Sequence, residues 1–480
     1  MLANTFNGFD DCRVNSKPRR RGIGRLQRLS LTAALLLGCL FSAAAWAESE
    51  PAERSLSEAD ALTSFDQVWE RVRTQYFDFE RIEADWEQGR ERLRPRAAEA
   101  TTPAELRVVL NELLGLIGES HFGIIPADTF ERLAVLDEVS GPQQADIAPN
   151  APRSATGLAV RWVGEDMRVS ELRPDSPAAA AGIELGWSLV AVDEFEVAPA
   201  MAQIAGIEDD LVRGRAAMRL EYGLQYRLSF PRPEQAITLE LIDADGERQR
   251  RTLEGEPLRH GAVQIGNLPP MTFDFSLDRQ EIPAGCVSVV SFSTWVPALI
   301  EEFQSRRDEV FACEGMLFDL RGNPGGVVGT MSTLASDLFS ESVVLATMLR
   351  SDARLDFRVL PRRVAMDGTR LTPFDGPVAI LIDGMSGSTS ELFASGMQAT
   401  GRAKLFGQRS AGEALPSRTL PLASGDFLFY AFADAHDSLG RRIEGVGVQP
   451  DYPVALTAEN IHTQPALQAA LSWINTQLND

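Results

Sequence analysis

Residues 377–398 read PVAILIDGMSGSTSELFASGMQ. The first six form a short continuous apolar run, the pattern of a strand buried on both faces of a parallel sheet. Past the turn, Leu392, Phe393, Gly396 and Met397 recur at helical spacing. Between them lie Gly384, Ser386, Gly387, Ser388 and Thr389, all small enough for a tight turn. A strand–turn–helix presents a side chain at a helix N-terminus, where free N–H groups favour developing negative charge. A serine held there can attack a carbonyl, with nearby N–H groups receiving the oxyanion. Taken alone, the stretch reads more simply as turn and N-cap residues, with Glu391 as capping partner. The surrounding chain turns the reading toward chemistry.

A second strand–turn–helix precedes it. Met316 to Leu320 reads as a strand running into Arg321-Gly-Asn-Pro-Gly-Gly326, and Val327 to Phe339 as the following helix. Glycines let a backbone approach a ligand and aim N–H groups at it, although a plain tight turn needs them too. No lysine follows as a phosphate-binding loop requires. With a strand at Val287–Phe292 and a helix at Val296–Phe311, the alternation from residue 257 onward implies a mostly parallel sheet with crossover helices. Cys286 and Cys313 start successive strands, so parallel neighbours would put both at one end, where a disulfide can close. Two buried thiols are the alternative.

Residues 150–256 read as β-rich. Met167–Leu172 and Leu189–Val192 are strands, Asp175-Ser176-Pro177 opens a short alanine helix that Gly182 closes, and Ile237, Leu239 and Leu241 alternate into the turn Asp245-Gly246. This order resembles a PDZ domain, with departures at Trp187 and at Glu194-Phe195. The resemblance implies that Gly157-Leu158 begins a loop able to receive a peptide carboxylate.

Residues 48–126 read as helical. Phe65, Val68, Trp69, Val72 and Tyr76 share one face, and Leu106, Val109, Leu110, Leu113 and Ile117 another, after the capping box at Thr102–Glu105. His121, one of only four histidines, falls in the turn beyond. Residues 127–153 read as a loop. At the N-terminus, arginines 19–28 precede an apolar run to Trp46 and the small-residue site Ala45-Trp46-Ala47, the pattern of a secretory signal peptide spanning 1–47. Lipidation at Cys39 is disfavoured because the apolar run continues past it.

Of 480 residues, 44% are hydrophobic, enough for several cores. Cleavage after Ala47 would leave 39 basic and 66 acidic residues, a net charge of −27. Such a surface repels phosphate backbones and excludes a nucleic-acid partner. No later segment is apolar for long enough to span a membrane, so after cleavage no transmembrane anchor is expected, and the protein is expected to be periplasmic or secreted.

In order, the PDZ-like segment, DLRGNPGG at 319–326, SGSTSE at 386–391 and EGVGVQPD at 444–451 resemble the carboxy-terminal processing (tail-specific) serine peptidases over residues 60–475. The resemblance puts the nucleophile on Ser388, with Ser386 and Ser390 structural. Those peptidases use a serine–lysine pair, but Glu413 stands where their lysine would be, and Lys404 is a poor substitute. The sequence is similar instead to the tricorn-core branch, whose pattern implies His121 as base, Glu444 as the carboxylate orienting it, acting through Ser120, and Thr389 with Gly325 or Gly326 as oxyanion donors. His436, the competing base, is expected at a hairpin tip. The expected fold is α/β multidomain: a helical region (48–126), a PDZ-like β-rich domain (150–256) and a crotonase-like α/β peptidase core (257–480). It would hydrolyse protein or peptide substrates, selected through their C-termini, with no metal and no cofactor; the histidines lack ligand spacing. A non-catalytic binder and a hydrolase of small acyl compounds are the alternatives on the same fold.

Overall fold

The computed structural model describes residues 55–127, 154–229, 236–257, 262–263, 271–365 and 368–479. The expected signal peptide and residues 128–153 of the expected loop lie outside the described residues. Three helices open the fold: α1 (Glu58–Gln75), α2 (Phe79–Ala98) and α3 (Pro103–Gly115). Both apolar faces legible in the sequence are buried. Helix α1 starts where the Ser57 hydroxyl accepts the Asp60 N–H (3.1 Å), and α3 where Thr102 accepts the Glu105 N–H (3.2 Å). A short strand, β1 (Gly123–Ile125), follows the turn that carries His121.

The middle segment is an antiparallel sheet ordered β2 (Leu158–Val163), β3 (Asp166–Leu172), β4 (Ser188–Val192), β5 (Ile237–Ile242) and β6 (Arg248–Leu253). Helix α4 (Pro177–Ala180) is capped by Ser176, whose Oγ accepts the Ala179 N–H. The segment is less purely β than its sequence implies. Helices α5 (Val197–Ala205) and α6 (Asp210–Ser229) separate β4 from β5. Ala216, Leu220, Leu224 and Leu228 bury one stripe of α6 in the same apolar cluster as β2 and β5.

The last and largest segment is built on a six-stranded sheet, ordered β7 (Phe275–Ile282), β8 (Gly285–Phe292), β9 (Gly315–Asp319), β12 (Val378–Ile382), β13 (Ala403–Gly407) and β17 (Tyr452–Pro453). Only the β7–β8 pair is antiparallel, since a tight turn joins those two strands; the rest are parallel. Between β9 and β12, β10 (Val343–Leu349) and β11 (Arg354–Val359) form a side sheet with β16 (Asp434–Asp437). The hairpin β14 (Ser417–Pro421) and β15 (Phe427–Ala431) takes β1 as its third strand.

Side chains alternate between the two faces of the main sheet. Met316, Phe318, Val378, Ile380 and Ile382 meet helices α7 (Pro297–Ser305), α8 (Gly329–Ala335) and α9 (Thr389–Ala399). Val287, Val289, Leu317, Ala379 and Leu381 lie under the C-terminal helix α10 (Pro465–Asn479). The predicted helix at 296–311 breaks at Arg306 into two, and the one predicted at 327–339 shrinks to α8. Cys286, in β8, and Cys313, just before β9, are joined in a disulfide with Cα atoms 5.0 Å apart. Among the described residues no helix is long and apolar enough to cross a membrane.

Candidate active site

The turn after β12 puts its three serines in different environments. Ser386 is buried, donating to the Leu320 carbonyl (2.7 Å) and accepting the Asp383 N–H (3.0 Å). Ser390, also buried, donates to Asn323 and accepts the Trp295 indole N–H (2.8 Å). Ser388 alone is partly exposed. It has φ 51°, ψ −116°, an unusual conformation for a residue with a Cβ, and its hydroxyl faces the Glu391 N–H in a capping box without making a full cap hydrogen bond. Its N–H is held instead, by the Glu413 carbonyl (2.8 Å) and the Glu391 carboxylate (3.1 Å).

The glycine strip lies directly against this serine. A Cβ on Gly325 would stand 2.6 Å from the Ser388 Cβ, so only glycine permits the approach. Gly325 does not supply the expected oxyanion donor. The Gly325 N–H donates to the Asn323 side chain (2.9 Å) and is not available to an oxyanion. The Gly326 carbonyl accepts the Thr389 hydroxyl (2.9 Å), and no hydrogen bond engages the Gly326 N–H among the described residues. Thr389, as the first residue of α9, has no intrahelical acceptor for its own N–H.

On the other side, His121 has φ 60°, again left-handed for a residue with a Cβ. Its Nδ1 lies 2.6 Å from the Ser120 Oγ, which donates to Glu444 Oε2 (2.8 Å). With its hydrogen committed to the carboxylate, the hydroxyl takes the Nδ1–H, leaving the Nε2 lone pair open. Glu444 is buried and accepts from three further groups: Ser120 N–H (2.8 Å), Ala414 N–H (3.0 Å) and the Arg215 guanidinium (2.6 Å). Burial, then the cations Arg215 and Arg219, lower the His121 pKa to about 4. The ring also packs 5.6 Å from that of Phe429, in the strand that pairs with β1.

Serine and histidine supports meet at residues 413–414. Glu413 gives its carbonyl to Ser388, and the adjacent Ala414 gives its N–H to Glu444. The Glu413 side chain faces Arg215 at 3.8 Å, its Oε1 buried without a hydrogen bond, and burial raises its pKa. Glu391, beneath the serine, accepts Ser410 Oγ–H and the N–H groups of Gly412 and Glu413. Burial still pushes its carboxyl up to about 7.

Peptidase family S41 matches residues 284–454, and the tricorn protease C1 domain matches 57–115. The chain carries a peptidase family S41 domain. A carboxyl-terminal-processing protease of Picosynechococcus sp. is 22% identical over 88% of this chain and 92% of its own length. A carboxy-terminal-processing protease of Bartonella bacilliformis is also 22% identical, over 82% and 75% respectively. The photosystem II D1 C-terminal processing protease shares the fold, with TM-score 0.51 and 17% identity over 86% of this chain and 97% of that one. Mature CPAF does so with TM-score 0.54 and 15% identity over 88% and 98%.

With this peptidase domain the chain is a serine hydrolase, which sets aside the non-catalytic alternative. His436 is not at a hairpin tip. It lies within β16, where β10 pairs with it, and its Nε2 is 2.9 Å from Asp434. Lys404 lies on β13, paired with Asp451 (3.2 Å). Gly157 has φ 77° and packs against Ser176, while the Leu158 side chain is in the core. Arg215, and Tyr222, whose hydroxyl donates to the Met385 carbonyl (2.5 Å), escaped the sequence reading. The buried stripe at 216, 220, 224 and 228 was the signal for their helix.

Proposed function

We propose that this S41 peptidase cleaves polypeptides with Ser388 as nucleophile and His121 as base, Ser120 and Glu444 orienting the ring. The supporting observation is the unbroken chain from the His121 Nδ1 through the Ser120 Oγ to Glu444, which shares residues 413–414 with the support of Ser388. Ser388 Oγ attacks the scissile carbonyl while His121 Nε2 takes its proton, and the imidazolium is stabilised through Ser120 by the buried carboxylate. The Thr389 and Gly326 N–H groups receive the oxyanion. Collapse expels the amine with the proton from His121, and water then hydrolyses the acyl-enzyme by the same base. A serine-directed fluorophosphonate tests this: labelling should map to Ser388 and disappear in His121→Ala, and modification elsewhere would overturn it.

The middle segment, with an apolar cluster of its own, we read as a PDZ-like domain, and the boundaries 48–126, 150–256 and 257–480 as three domains, the helical one sharing its cluster with Leu422, Leu428 and Tyr430 of the last. Selection of substrates by exposed C-termini through Gly157-Leu158 belongs to the same proposal. Export is supported by the leader pattern at 1–47 and by the disulfide, a bond characteristic of oxidising compartments. N-terminal sequencing should find a mature chain beginning near Glu48; Met1 would refute it.

A further inference from the structure

Helix α6 belongs to the middle segment, yet one of its stripes lies over the candidate active site. Arg215, Arg219 and Tyr222 are spaced i, i+4 and i+7, so they share a face. The ends of that stripe are anchored on opposite sides of the site. Arg215 donates to Glu444 and to the Gly118 carbonyl (3.1 Å), in the turn before His121. Tyr222 donates to the Met385 carbonyl, in the turn before Ser388. Arg219 stands between them and is exposed. Among the described residues it makes no hydrogen bond and lies within ion-pair distance of no carboxylate.

Two considerations make this arginine more than a solvated surface charge. Like charges four residues apart destabilise a helix. Arg215 has Glu444 in contact to offset its charge, whereas Arg219 has only the longer-range attraction of Glu413, beyond ion-pair distance. The chain as a whole is acidic, with a formal charge of −22, so an anionic substrate needs a local cation to settle beside the nucleophile. Arg219 also acts electrostatically on both His121 and Glu413, which places its charge toward the reacting groups.

We propose that Arg219 is a substrate-recognition residue that binds a carboxylate of the polypeptide next to the scissile bond. The inference rests on Ser388 being the nucleophile, because that assignment says where the scissile bond lies. The carboxylate comes from the C-terminus of the substrate or from an aspartate or glutamate side chain. A guanidinium suits either, offering paired N–H donors to two oxygens.

Binding of labelled peptides to the full chain carrying Ser388→Ala, followed by fluorescence anisotropy, tests the proposal without turnover. One pair of peptides ends in a free carboxylate or an amide; a second carries internal Glu or Gln. A carboxylate should bind about tenfold or more tightly than its neutral counterpart. That ratio should fall toward one in Ser388→Ala/Arg219→Gln and reverse for a Lys-bearing peptide in Ser388→Ala/Arg219→Glu. Discrimination in the first pair identifies the C-terminus as the source, and in the second pair a side chain. An unchanged ratio without Arg219, or no discrimination in either pair, overturns the proposal. Peptide hydrolysis persisting in Ser388→Ala would instead refute the nucleophile assignment, so the two failures are distinguishable.

Discussion

Replacing Glu444 by glutamine keeps the shape of the side chain and removes its charge. Its two oxygens receive four donors: Ser120 N–H and Arg215 at Oε1, Ser120 Oγ–H and Ala414 N–H at Oε2. In either amide orientation the NH2 group faces two of these donors, so two hydrogen bonds are lost and Arg215 is left without its close counter-charge. Bonds to charged groups contribute about 1.5–3 kcal/mol each, and breaking a buried pair from one side costs about 3–5 kcal/mol. The part that appears in the rate is the part specific to the transition state, when His121 becomes an imidazolium and its route to a carboxylate runs through Ser120. General-base assistance is worth about 10²–10⁴ in rate, so kcat/KM for an unfolded protein substrate should fall about 10³-fold, or roughly 4 kcal/mol. His121→Ala and the double variant should sit near the same residual rate, because members of one unit are not additive. Circular dichroism and thermal melting must show the variant folded at the assay temperature. A folded Glu444→Gln enzyme within tenfold of the unsubstituted rate, or a double variant far slower than either single, would refute this assignment of the carboxylate.

Four further outcomes are expected. Because the His121 pKa lies below the ordinary 6.5, the base stays neutral as pH falls through that value, and the acid limb of kcat/KM should fall near 4; an inflection at 6.5 or above contradicts it. By the same shift, the unfolded chain binds the extra proton between 6.5 and about 4, so urea midpoints should decline with falling pH in that window and the decline should be smaller in His121→Ala. Reduction, or Cys286→Ser/Cys313→Ser, should cost about 3–4 kcal/mol for a separation of 27 residues, and alkylation of unfolded, unreduced protein should find neither cysteine free. Glu413→Ala should be mild in kcat/KM, since the Ser388 N–H is held by the backbone carbonyl that alanine retains; a collapse comparable to that of His121→Ala would return the base role to position 413.

Much of the main sheet was legible because its strands are buried on both faces and therefore read as unbroken apolar runs. Val378–Ile382 is buried at every position, and the small residues after it announced the turn. The two sequence-adjacent parts of the site, SGSTSE and NPGG, were found for the same reason: their local chemistry is written locally. The choice among three serines rested on resemblance alone in the sequence. In the structure a physical difference separates them, since Ser386 and Ser390 are buried and hydrogen-bonded and Ser388 is not. The engagement of Gly325 is not legible, because nothing in RGNPGG reveals that Asn323 folds back onto the next-but-one N–H.

The unread part lies in contacts between distant segments. Nothing local to Ser120-His121 indicates that β1 will pair with β15 (Ile124 opposite Leu428), yet that ladder carries the histidine turn toward Glu444. Helix α6 is masked in the sequence by the β pattern on either side of it, which suggests a continuous β-rich segment despite the apolar stripe at 216, 220, 224 and 228. Its omission mattered more than a missing helix usually does. The guanidinium that meets Glu444 comes from the middle segment, not from the sheet that bears Ser388, so the charge on which the histidine depends is set by how two separate apolar clusters dock. A change that loosens α6 from β2 would withdraw Arg215 from Glu444 and Tyr222 from Met385 together. The middle segment is thereby tied to both sides of the reaction, to the base through Arg215 and to the nucleophile turn through Tyr222.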